Sequence, residues 1–226
     1  MNGAAAGTGT LGTGMSGDPA PPEPTAVPIG GRSVATGPSR PAASDLAAAA
    51  REGAEIPDVV RADLDVLFCG INPGRWSGAV GHHFAHPGNR FWKLLHAAGF
   101  TGEVLSPSDE RALLDAGLGI TNLVRRTTAT ATELSVEELR AGAARLAVAA
   151  ARWRPLAIAV LGLGAYRIAF ERPAAGPGEQ PDGLGSSALW VLPNPSGLQA
   201  SYRFDEMVDL LRRLRSAAPG RRAPAG

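Results

Sequence analysis

Val66-Leu67-Phe68-Cys69-Gly70-Ile71-Asn72-Pro73-Gly74 is the stretch on which the reading of the fold turns. Its first six residues are continuously apolar, as expected of a strand buried on both faces. Asn72 breaks the run, and Pro73 lacks the N–H needed to extend a ladder. A strand covered on both faces requires helices on either side and parallel neighbours. The downstream pattern supplies both. Asn89 to Ala98 reads as a helix ended by Gly99, and Ser106-Pro107-Ser108-Asp109 opens another, with proline at the first helical position. Gly119 to Val124 reads as a second strand. Ser135-Val136-Glu137-Glu138 is a capping box for a helix running to about Trp153. A third strand (Leu156 to Leu161), a short helix (Ala165 to Phe170), a fourth strand (Leu189 to Leu192) and an amphipathic helix (Phe204 to Arg215) follow. Strands alternating with helices predict a three-layer α/β/α fold around a central four-stranded, mainly parallel sheet.

The segments flanking this pattern differ from it. Residues 1–44 hold nine glycines, seven prolines and four charges that cancel, too little apolar surface to offset the entropy of ordering. We expect a disordered tail over 1–44, one globular domain over 45–218, and a second short tail over 219–226. The net charge of +1 does not by itself demand an anionic partner, and 21 of the 22 basic residues are arginine, Lys93 being the lone lysine. Cys69 is the single cysteine, which excludes a disulfide framework and fits a reducing cytoplasm. No apolar run approaches the roughly 20 residues that span a bilayer, and no secretory signal pattern opens the chain. A cytoplasmic protein without membrane association is expected, nucleoid-associated if the source is bacterial.

In parallel-sheet folds, sites lie beyond the carboxyl ends of the strands. The first strand runs into Gly70-Ile71-Asn72-Pro73-Gly74 and the fourth into Pro193-Asn194-Pro195-Ser196-Gly197-Leu198. Taken singly, the first reads as an Asx turn before a proline and the second as a surface turn with one exposed leucine. Taken together, at the ends of one sheet, they converge on one cleft. Between them lies Gly81-His82-His83-Phe84-Ala85-His86-Pro87-Gly88-Asn89-Arg90-Phe91-Trp92. An aromatic residue in such a glycine-bounded loop can stack on a planar ligand. The three histidines invite a metal reading, but no acid or cysteine follows at ligand spacing. Phe91 and Trp92 open a helix with Leu94 and Leu95, so they read as core.

These motifs closely resemble the mismatch-specific uracil/thymine DNA glycosylases: Phe68 to Gly74, then Phe84-Ala85-His86-Pro87 with Asn89-Arg90-Phe91-Trp92-Lys93, then Val191 to Leu198. The resemblance spans about Asp65 to Leu214. It implies excision of a base flipped out of double-stranded DNA, with no metal or other cofactor, by a monomer. Asn72 matches the asparagine that positions the attacking water. Asn194 stands where related uracil glycosylases carry a histidine. Gly70, Ile71, Phe84 and Asn122 line the base pocket by the same resemblance, with Phe84 stacking on the base. Ser196, Gly197, Leu198 and Gln199 match the wedge that fills the vacated stack and contacts the orphaned guanine. Arg75-Trp76-Ser77-Gly78-Ala79 departs from the leucine- and serine-rich stretch of bacterial members. Gly81-His82-His83 and Thr121-Asn122 are closer to the thymine branch, whereas Asn194-Pro195-Ser196-Gly197 is the bacterial form.

The expected chemistry follows from elementary considerations. Extruding a base costs a few kcal/mol, least at a mispair, so G·U and G·T pairs are the expected targets. Leu198 offsets part of that cost as an apolar wedge. Backbone N–H groups near Ile71 and Phe84 would stabilise the leaving base anion. A carboxamide can orient water but hardly deprotonates it, which implies modest turnover. Arg90, Arg125, Arg126 and Arg203 are candidates for phosphate contacts. Two rivals compete. Leu161-Gly162-Leu163-Gly164-Ala165-Tyr166-Arg167 resembles part of a dinucleotide fingerprint, but Arg167 occupies the position of its third glycine or alanine. The other rival is a mismatch-binding relative with little or no catalysis.

Overall fold

The computed structural model describes residues 40–197 and 201–218. The tail expected over 1–44 therefore lies, for residues 1–39, outside the described residues, as does the one expected over 219–226. Within the first segment, helix α1 (Ala43–Glu52) starts ahead of the expected domain boundary. Its first turn is closed by Asp45, whose carboxylate accepts the Ala42 N–H at 3.2 Å.

The chain continues through β1 (Val66–Gly70), α2 (Arg75–Val80), α3 (Phe91–Ala97), a 3₁₀ segment (Pro107–Leu114), β2 (Leu118–Asn122), α4 (Val136–Trp153), β3 (Ala157–Leu161), α5 (Leu163–Ala169), β4 (Gly178–Glu179), β5 (Ala188–Leu192) and α6 (Phe204–Ala217). The sheet order is β2-β1-β3-β5-β4. The first four strands pair in parallel, and β4 joins β5 antiparallel. The expected four-stranded parallel sheet is thus present with a fifth, two-residue edge strand. Gly178-Glu179 carries no strand propensity of its own; it pairs because β5 offers an open edge.

Side chains alternate between two apolar layers, as the two-residue period of a strand requires. Val66, Phe68, Ala159, Leu161, Trp190 and Leu192 pack with Phe91, Trp92 and Leu95 of α3 and with Met207, Leu211 and Leu214 of α6. Leu67, Cys69, Ile158, Val160, Leu189 and Val191 face Leu139, Leu146 and Ala150 of α4 and Tyr166 and Ala169 of α5. Burial of each large side chain contributes about 1.5–3 kcal/mol, and Phe68, Leu67 and Ile158 have no exposed surface. Cys69 sits inside this second layer, where burial pushes its thiol pKa well up and leaves it inert. Ser135 caps α4 by accepting the Glu138 N–H at 3.1 Å, and Glu138 returns a bond from the Ser135 N–H at 2.9 Å. That is the reciprocal box read from the residues.

The sheet order places the site. β1 and β3 are neighbours, yet the chain leaves β1 toward β2 on one side and leaves β3 toward β5 on the other. Such a reversal opens a crevice at the carboxyl ends of the two strands. Among the described residues, no helix is long and apolar enough to cross a membrane.

Candidate active site at the strand ends

Asn72 follows directly from β1 and is half-buried. Its amide nitrogen donates to the carbonyls of Pro73 and Arg126, each at 3.1 Å, and to Thr128 Oγ1 at 2.7 Å. Carbonyl oxygens only accept, so the nitrogen must occupy this end of the side chain. Thr128 holds its own place by donating to the Thr130 carbonyl at 2.8 Å. The Asn72 oxygen is thereby turned away from the anchoring loop, and no described residue donates to it. A carboxamide oxygen fixed in this way can accept a hydrogen bond from a water molecule.

The anchoring loop is braced in turn. Arg126 grips Glu138 through two bonds of 2.5 and 2.9 Å. The bonds from Arg126 and from the Ser135 N–H hold the Glu138 carboxyl down at about 2. Arg126 therefore stabilises the loop that orients Asn72.

Phe84 comes from the loop between α2 and α3. Its φ of +53° is a left-handed conformation, uncommon for a bulky non-glycine residue. Both of its neighbours are tied down. The His83 N–H donates to Glu110 Oε2 at 2.9 Å, and the Ala85 N–H donates to Ser77 Oγ on α2 at 3.1 Å. One face of the Phe84 ring stacks on Phe91, with centroids 4.1 Å apart. Its tip points at the end of β1: a Cβ built on Gly70 would stand 3.3 Å from Phe84 Cζ and would collide with Asn122 Oδ1. Gly70 and Asn122 are direct partners in the β1–β2 register. Gly70, Phe84 and Asn122 therefore converge, and Gly70 is the residue that leaves room for the other two. Ile71 follows at once, its side chain packed over Gly162 at the end of β3. The N–H groups of Ile71 and Phe84 donate to no described residue.

The loop after β5 is built differently. Asn194 Oδ1 accepts the Ser196 N–H at 2.9 Å, closing an Asx turn. Its oxygen is thus committed to loop shape, while its amide nitrogen meets no described acceptor. The Pro195 carbonyl accepts the Arg90 N–H at 2.9 Å, and Gly197 lies so close to the Gly88 carbonyl that any side chain there would clash. The second loop is docked on the loop that carries Phe84. Leu198 and Gln199, expected as wedge and opposite-strand contact, lie outside the described residues.

Of the four arginines considered for phosphate, two are committed to structure. Arg126 holds Glu138, and Arg90 donates to the Tyr202 carbonyl at 3.2 Å. Arg125 and Arg203 have side chains 54% and 80% exposed, in weak pairs with Asp58 and Asp205, and both are available to an incoming anion. Among the described residues, no group of three or more His, Cys, Asp or Glu side chains is spaced to hold a metal ion. His82 and His83 instead share Glu110, and His86 packs edge-on against Trp76.

Glu110 and Thr128 are the residues that sequence reasoning missed. Each acts on a motif residue from far along the chain, 27 positions for His83 to Glu110 and 56 for Asn72 to Thr128. The one local signal was polar composition, in Arg125-Arg126-Thr127-Thr128 after a buried strand.

The architecture defines a doubly wound α/β/α protein whose polar groups gather at the switch point of the sheet. The uracil DNA glycosylase superfamily matches residues 57–215, and the chain belongs to that superfamily. Membership carries DNA glycosylase chemistry, hydrolysis of the bond between base and sugar, in the removal of uracil from DNA. The fold is similar to the solution NMR structure of a candidate uracil DNA glycosylase from Methanosarcina acetivorans. That similarity has a TM-score of 0.50 at 18% identity and covers 72% of this chain and 98% of the other.

Proposed function

We propose that this protein is a monofunctional glycosylase that excises uracil, and with it thymine or exocyclic pyrimidine adducts, from G·U and G·T mispairs in double-stranded DNA. The observation that carries the reading is the pinned carboxamide of Asn72. Three acceptors hold its nitrogen and its oxygen is left open, while the N–H groups of Ile71 and Phe84 are unengaged among the described residues.

In this reading the extruded base stacks on Phe84, and Asn72 Oδ1 orients a water toward the anomeric carbon. The glycosidic bond breaks with its electron pair leaving on the base. The sugar develops positive charge, the water oxygen bonds to its anomeric carbon, and the proton that the water then loses passes to solvent, from which the departing base anion takes one up. The N–H groups of Ile71 and Phe84 and the amide of Asn194 are donors suited to the negative charge that grows on the base. No side chain at this position titrates near neutrality, so the water is positioned rather than deprotonated. Turnover is accordingly modest, and the extrusion cost supplies selectivity for mispairs. Leu198 and Gln199 fill the vacated stack.

Duplexes carrying G·U, G·T, A·U or only matched pairs, incubated with the protein and treated with alkali, test this directly. Strand cleavage in the order G·U, then G·T, with A·U weaker, is the expected result. Retained binding without cleavage on any duplex would instead identify a mismatch-binding relative. Equal cleavage of G·U and A·U would remove the mispair selectivity.

A further inference from the structure

Glu110 lies on the 3₁₀ segment, outside every motif that marks the active site, yet it is only 7% exposed. Buried carboxylates require partners, and the partners here are informative. Glu110 Oε2 accepts both the backbone N–H and the ring Nδ1 of His83, each at 2.9 Å, while Oε1 faces His82 Nδ1 at 3.2 Å. Burial by itself would raise the carboxyl pKa, but these bonds outweigh it and hold the group below its usual range. Glu110 is therefore ionised and acceptor-only.

An acceptor-only partner dictates the state of the ring. His83 must carry a proton on Nδ1, and the other ring nitrogen is Nε2. That nitrogen is buried and has no partner among the described residues. His83 itself is 2% exposed. The next residue is Phe84, held at φ +53° between two anchored neighbours. The anchor on its N-terminal side is Glu110.

We propose that Glu110 is a positioning residue for base excision: by accepting both donors of His83 it fixes that ring in the Nδ1–H tautomer and holds Phe84 in the strained conformation that presents its ring to the extruded base. The proposal rests on the reading of Phe84 as the stacking residue. Acceptor geometry, not charge, is what the role requires. Glutamine meets the requirement: its Oε1 accepts both His83 donors. Its amide group donates to His82 Nδ1, whose ring is 31% exposed and can carry its own proton on the solvent-facing nitrogen.

The test compares wild type, Glu110→Gln, Glu110→Ala and Glu110→Met as full-length chains. Single-turnover excision of uracil from a G·U duplex is measured at saturating enzyme and below every variant's melting temperature. Long-range ¹H–¹⁵N spectra of histidine-labelled protein report the His83 tautomer independently of activity. We expect an Nδ1–H His83 in wild type and in Glu110→Gln, but not in Glu110→Ala or Glu110→Met. We expect an excision rate about 100-fold lower in Ala and Met, the scale of a displacement on the order of 1 Å at a reacting centre. Glu110→Gln should stay within about threefold of wild type, since it exchanges charge-assisted bonds for neutral ones. A merely structural role would lower the melting temperature and leave the saturated single-turnover rate unchanged. Wild-type rates in Glu110→Ala or Met overturn the proposal, as does a Glu110→Gln variant as slow as Ala. An Nε2–H His83 in wild type overturns it without any activity measurement, which keeps the proposal testable if the Ala and Met variants do not fold. A wild type that excises uracil from no duplex overturns the proposed function and the catalytic half of this proposal together; the spectra then show separately whether Glu110 sets the ring.

Discussion

Replacing Asn72 tests the centre of the reading. The side-chain nitrogen makes three contacts, at 3.1, 3.1 and 2.7 Å, but has two hydrogens to share among them. At about 0.5–1.5 kcal/mol net per hydrogen bond, and with water able to reach this half-buried site, Asn72→Ala should cost about 1–2 kcal/mol of stability. For a domain of this size that is a fall of about 2–8 °C in Tm. The loss of the oriented water should be larger. Removing one preorganised polar group commonly slows the chemical step by about 10²–10³, or about 2.7–4 kcal/mol of barrier. Single-turnover excision on a G·U duplex reads the second quantity, thermal unfolding the first, and fluorescence anisotropy shows that DNA binding persists. Asn72→Asp sharpens the test. A carboxylate oxygen placed where the nitrogen stood would face the Pro73 and Arg126 carbonyls at about 3 Å, a repulsive arrangement. Asp should therefore be less stable at neutral pH than Ala, although it is nearly isosteric with Asn. Its folded-state pKa would be raised above the unfolded value of about 3.9. Stability should then be highest below that value and decline as pH rises through the folded pKa. Wild-type excision in Asn72→Ala, or an Asp variant more stable than Ala at pH 7, refutes the argument.

Gly70→Ala should destabilise by about 1–3 kcal/mol through overpacking and slow excision, because the new methyl collides with Asn122 and presses on Phe84. Adding Asn122→Ala should return part of the stability, and strict additivity in that double-mutant cycle would show that Gly70 and Asn122 do not meet. Phe84→Leu keeps apolar bulk but removes the aromatic face. At about 1–3 kcal/mol per stacked base, excision should fall by about 5- to 150-fold with little change in Tm, and an unaltered rate would displace Phe84 from its role. Glu138, lowered to about 2 by the bonds from Arg126 and the Ser135 N–H, contributes stability that is complete above the unfolded carboxylate value. That contribution is lost as pH falls from about 4.5 toward 2. The Tm difference between wild type and Arg126→Met should shrink over that interval, and a constant difference would mean that the pair contributes nothing.

Local chemistry is legible without a structure. The apolar run of Val66 to Ile71 read as a strand covered on both faces, and the Ser135–Glu138 box announced α4 to within a residue. The two asparagine loops were recognisable because a polar residue directly after a buried strand, with proline beside it, has to leave the sheet. Regions whose structure depends on distant partners were not legible. Arg75–Val80 is a short helix without apolar periodicity, held by Gly78 against Thr127 and by Ser77 reaching Ala85. Ala43–Glu52 was obscured by a composition shared with the tail before it, although alanine is the best helix former. The two-residue β4 exists only because β5 has an edge to offer.

The same division runs through the site. By itself the sequence determined which residues stand at the strand ends, Gly70-Ile71-Asn72 and Pro193-Asn194-Pro195, because strand termination is a matter of nearest neighbours. Tertiary structure alone decided how they are aimed. The order β2-β1-β3-β5 opened the crevice, Thr128 and the Arg126 carbonyl turned the Asn72 oxygen outward, and Glu110 fixed the loop of Phe84. Each is a hydrogen bond whose partners lie tens of residues apart. Such bonds form only once packing has brought the partners within about 3 Å, and no local pattern in the chain encodes that distance.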